Sequence, residues 1–177
     1  MTKNTDNSTD KKTLFKYLVA GAIFVFLFGS LAHFVYDWTG KNFFVGFFFP
    51  VNESTWEHMK LVFFPMLVWW IIVKPKLSKN YDCFTPALFA GVLAGIMLIP
   101  ILFYTYRGVL GFGIQAVDIG IFYVSVVAAF AFVYKITLSC RLQKHSQLLP
   151  TFIFLFFVMF ILFTYLPPEL GIFVSPV

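Results

Sequence analysis

The chain has 177 residues, 60% of them hydrophobic and only 12% charged, with a mean hydropathy of +0.85 and a formal net charge of +5. Ordinary soluble domains carry about 45–50% apolar and about 25% charged residues, and a chain this short has no interior able to hide the excess. The composition excludes a soluble globular enzyme and predicts an all-α integral membrane protein.

In chain order, residues 1–13, "MTKNTDNSTDKKT", form a polar segment expected to be a disordered cytoplasmic tail without the layout of a cleaved signal peptide. Residues 14–177 read as a single polytopic membrane domain. Apolar windows predict about five transmembrane helices, at 14–36, 52–73, 84–106, 112–134 and 149–166, with turn signals between them. A re-entrant or interfacial segment, 42–51, precedes the second span. Pro86 and Pro150 fall in first helical turns, whereas Pro65 and Pro100 interrupt helices. "GVLAG" at 91–95 has the small-xxx-small spacing that packs two helices together.

The thirteen basic residues divide ten to three across these spans. Lys3, Lys11, Lys12, Lys16, Lys74, Lys76, Lys79, Lys135, Arg141 and Lys144 share one side; Lys41, Lys60 and Arg107 lie on the other. The positive-inside rule therefore predicts a plasma (inner) membrane protein with a cytoplasmic N-terminus and an extracytoplasmic C-terminus. That placement explains the net charge, and no nucleic-acid module is present. Cys83 and Cys140 both fall near cytoplasmic loops, so free thiols are expected rather than a disulfide.

The segment that departs from the lipid-soluble pattern is "PVNESTWEHMK", residues 50–60. The apolar stretch after it is about 20 Å of helix, too short for a hydrocarbon core of about 30 Å. The helix must therefore start near Asn52 and carry its polar residues into the membrane. A helical wheel groups Glu53, Ser54, Glu57, His58 and Lys60 on one arc, expected to face the bundle interior, with Trp56 outward. Asn52 is the expected N-cap, and Glu57 and Lys60 at i, i+3 can neutralise each other. Ser30, His33 and Asp37 follow one face of the first helix, and Asp118 and Arg107 reach a similar depth. Ionisable groups at such depth are costly and usually functional.

This pattern supports three functions. In the first, His33, Asp37 and His58 hold a divalent metal such as zinc, with Glu53, Glu57 and Lys60 as catalytic groups. Asn52, Ser54, Asp118 and Arg107 would complete an outer-facing polar site for hydrolysis or transfer on a lipid or lipid-linked substrate. The second is an ion- or proton-coupled transporter or channel subunit with a small-ion ligand. The third is a non-catalytic membrane assembly or partner subunit. The bilayer is the common partner, and a homo-oligomer suits the transport reading because the spans are few.

The pieces "HFVYDWTG", "PVNES" and "WEHMK" resemble those of an uncharacterised family of small prokaryotic multi-pass membrane proteins, a domain of unknown function. The resemblance implies that this segment is the family's signature and supplies no substrate. A looser similarity is to membrane hydrolases of the alkaline-ceramidase and adiponectin-receptor type, which bind zinc among transmembrane helices. This chain lacks their third intramembrane histidine and has fewer spans.

Overall fold

A computed structural model describes residues 8–176; the first part of the expected tail, with Lys3 and Asp6, lies outside the described residues. The described residues form α-helices and short 3-10 turns, without a strand. The helices are α1 (Ser8–Trp38), α2 (Phe43–Gly46), α3 (Thr55–Leu77), α4 (Phe84–Leu110), α5 (Gln115–Ser139) and α6 (Leu148–Tyr165). Residues 8–13, read from the sequence as tail, are the first turns of α1, and burial pushes the nearby Tyr81 phenol up while its hydroxyl donates to the Asp10 carbonyl.

Helices α1, α3, α4 and α5 close a ring, each packed against its two neighbours, and α6 lies outside it against α4 and α3. Gly91 and Gly95 make the closest part of this ring possible. Side chains there would meet Val133 and Ala129 of α5, so the small-residue spacing packs α4 onto α5.

Helices α1, α4, α5 and α6 are long and apolar enough to cross a membrane, which is compatible with a membrane protein. Helix α3 is not in that set, although its 23 residues make about 34 Å of helix. The reason is position. Met59, Val62, Phe63 and Met66 are fully buried, so α3 is solvated by the other helices on much of its surface and tolerates polar groups that an outward-facing helix would not.

Three further expectations change. Helix α3 starts at Thr55 rather than Asn52. Ser54 is its N-cap, accepting from the Glu57 amide at 3.3 Å, while Asn52 turns back to accept from the Ser54 amide at 2.9 Å. This is half of a capping box: the Glu57 carboxylate, which could have returned the bond to Ser54, is drawn elsewhere. Trp56, expected outward, is buried against Phe160 of α6 and Phe173 of the C-terminal turn. An indole buries more apolar area than a few neighbouring polar atoms can outweigh.

Cys83 and Cys140, expected as free thiols, are joined as a disulfide with Cα atoms 5.4 Å apart. Cys83 caps the start of α4 and Cys140 closes α5 in a left-handed conformation, so the antiparallel packing of those helices brings the two termini together.

Candidate functional site

The ends of α1 and α4 and the starts of α3 and α5 meet at one end of the ring. They enclose an open cavity of about 630 Å³. His33 and Ser30 line it from α1, Thr55 and His58 from α3, Arg107 from α4, and Asp118 from α5, with Glu53 reaching in from the loop before α3. The helices that carry the sequence-predicted polar residues thus converge. Close approach depends on Gly29, where a Cβ would lie 2.7 Å from the Leu61 carbonyl oxygen and 2.6 Å from the Phe122 ring.

One wall holds three ligand-type groups. A single oxygen of Glu53, Oε2, lies 3.4 Å from His33 Nε2 and 3.4 Å from His58 Nε2, and one ligand atom from each of the three residues falls within 4.8 Å of the others. The two imidazole rings are tilted at 52° with centroids 5.2 Å apart. Each histidine is about a third exposed and Glu53 about two thirds, so the cluster stays open to the cavity.

The His58 ring is held by its other nitrogen. Nδ1 donates to the Ser54 carbonyl at 2.9 Å, which turns Nε2 toward Glu53 and His33. A backbone acceptor on the far nitrogen is the usual means of fixing a metal-ligating imidazole.

The opposite wall is a separate polar group. Asp118 accepts from Arg107 at 3.2 Å and from the Tyr106 hydroxyl in a short hydrogen bond, and Arg107 also donates to the Tyr106 oxygen. The guanidinium lies over the Phe103 ring, 4.4 Å from its centroid.

Asp37, expected as a metal ligand, is exposed on the last turn of α1 and stands outside the three-atom cluster. Asp37 stands one turn beyond His33 and one residue before the end of α1, and the carboxylate in the cluster is that of Glu53. Glu57 and Lys60 do not line the cavity. They face the other side of α3, where Lys60 Nζ donates to Glu57 at 2.8 Å, the Gly46 carbonyl at 3.0 Å and Thr164 at 2.6 Å. Glu57 accepts in addition from the Val51 amide at 3.0 Å. All three ammonium protons are used, and the pair is buried to within 2% of full. The network ties α3 to α6 and to the segment 42–51, whose α2 is capped by Asn42.

Sequence reasoning missed Thr55. Its hydroxyl is buried and has no hydrogen-bond partner among the described residues, yet the residue lines the cavity between Glu53 and His58 in the chain. The available signal was its place at the first helical position beside two polar groups. The wheel put it on the apolar side because the polar arc was centred on Glu53 and Ser54, which precede the helix.

No curated protein and no solved structure matches the chain. The model of a family of unknown function (DUF6512) matches residues 5–177, nearly the whole chain, and the protein belongs to that family.

Proposed function

We propose that the protein is a membrane-embedded metal centre that catalyses hydrolysis or transfer, with His33, Glu53 and His58 holding a divalent ion such as zinc. The carrying observation is the equal spacing of Glu53 Oε2 from the two Nε2 atoms, 3.4 Å each. Tetrahedral zinc with N and O ligands at about 2.0–2.1 Å has ligand–ligand edges of about 3.3–3.4 Å. Two imidazoles and one carboxylate leave a fourth position, and such an ion would bring a bound water to about neutral pKa.

The remaining roles belong to the chain itself. The Ser54 carbonyl fixes the ring of His58. The Thr55 hydroxyl is a free donor for a substrate oxygen, and a buried hydroxyl without a partner costs about 1–3 kcal/mol unless a ligand satisfies it. Arg107, held by Asp118 and Tyr106, faces the cavity from the opposite wall and suits an anionic group. Helix α3 acts as a fifth crossing sheltered by the ring, and the lysine-rich end lies in the cytoplasm by the charge bias. The site then faces outward.

The test is metal content. Protein purified in mild detergent without chelator should carry about one zinc or similar ion per chain. His33→Ala and His58→Ala should each lose it while eluting as a folded species. Folded wild type without metal overturns the reading and redirects attention to ion flux.

A further inference from the structure

Phe34 of α1 and Ile119 and Tyr123 of α5 line the cavity and keep 51%, 53% and 39% of their surface exposed, so accessible surface runs along the seam between α1 and α5. Tyr123 stands eight residues into α5, about 12 Å below its start at 1.5 Å per residue. An opening at that depth, between two helices apolar enough to cross a membrane, faces hydrocarbon rather than water. Leu31 beside Phe34 and Val124 beside Tyr123 are exposed too, so the surface around the opening is continuous apolar side chain. The inner edge is set by a hydrogen-bond contact of 3.3 Å between the Ser30 and Tyr123 hydroxyls, which joins α1 to α5 below the opening.

We infer that the site is loaded from the bilayer: a membrane amphiphile enters sideways between α1 and α5 through this portal, its chain resting against Ile119 and Phe34 and its polar head reaching the Thr55–His58 wall. The inference rests on the proposed function only for the chemistry of the head group, which a divalent ion and Arg107 would require to be an oxygen anion. Three features agree with such an occupant. The deeper lining, with Leu61, Ile99 and Ile121, is apolar and buried, as a chain needs. The ionisable groups of the lining, His33, Glu53, His58, Arg107 and Asp118, are gathered toward the outer end, and the deeper Ser30 and Tyr123 hydroxyls contact each other. The one buried unpartnered hydroxyl of the lining, Thr55, lies at that same end. A small water-soluble substrate would need no exposed apolar side chains in the wall.

The experiment uses the full chain in phosphatidylglycerol vesicles containing a phospholipid with a diazirine near the head-group end of one acyl chain. After irradiation, adducts are mapped by peptide mass spectrometry. Lipid that merely surrounds the protein labels outward residues. A chain in the portal also labels Leu61 or Ile121, which are only 5% and 7% exposed. Label on either residue is expected in wild type and should be lost in Ile119→Trp, a bulky change at an exposed position, and in Ser30→Phe, which fills the sill. Labelling confined to outward residues overturns the inference, as does interior label that persists unchanged in both folded variants. Metal is measured on the same samples. Metal present without interior label sinks the portal alone, and interior label without metal sinks the metal centre alone.

Discussion

Two polar groups at the start of α3, drawn from residues 53–60, meet opposite fates. On one face Glu57 and Lys60 are buried, and the lysine spends every proton on an acceptor. On the other, Glu53 and His58 stand partly exposed around a cavity, and Thr55 keeps a buried hydroxyl without a partner. A fully satisfied buried network holds parts together and has nothing left to offer a ligand. An incompletely satisfied one costs stability, and such cost is characteristic of sites that bind something. Composition cannot separate the two, since both are built from acids, bases and hydroxyls.

This contrast is sharpest at Lys60. Lys60→Met leaves the Glu57 carboxylate buried without its cation and should cost about 3–5 kcal/mol in thermal or denaturant unfolding in detergent. The double change Lys60→Met with Glu57→Gln should recover much of that loss, because no unpaired charge remains. A small effect of the single change would show that the pair does not hold α3 to α6.

A middle-sized test lies at the boundary of the two regions. Ser54→Ala removes the N-cap of α3 and should cost about 1 kcal/mol. It keeps the carbonyl that orients His58, so metal content should stay near wild type. Loss of metal together with stability would mean that the two faces are not independent.

The smallest effect carries an unusual sign. Thr55→Val keeps the shape and removes the unpartnered hydroxyl, so it should raise stability by about 1 kcal/mol while lowering activity once a substrate is found. A stability loss instead would place the hydroxyl with the structural group rather than with the site.

Much of the fold was legible because its signals are local. Long apolar windows marked the presence of α1, α4, α5 and α6, with α1 starting at Ser8 rather than residue 14, and Gly91 and Gly95 announced a close helix contact. The polar segment at 50–60 stood out against its surroundings, and His33, Glu53, His58, Asp118 and Arg107 were singled out before any of them was seen to meet. Their convergence was not legible, because it depends on which helices adjoin.

Errors cluster where residues outside a helix are counted on its wheel. Taking Glu53 and Ser54 as helical centred the polar arc on the wrong side of α3, which left Trp56 outward and Thr55 among apolar neighbours. It also placed Glu57 and Lys60 with His58, although they diverge around the helix. Spacing along α1 groups Asp37 with His33, and it does not reveal that Glu53 reaches both histidines from the loop before α3. The bond between Cys83 and Cys140 depends in the same way on two helix ends meeting across 57 residues.

A helical, lipid-compatible chain with its polar groups concentrated near one end is legible from hydropathy and helical period, which act over neighbouring residues. Which of those groups meet a partner and which face a cavity depends on how distant helices pack, because a polar side chain has no set role until packing either supplies its hydrogen bonds or leaves them open.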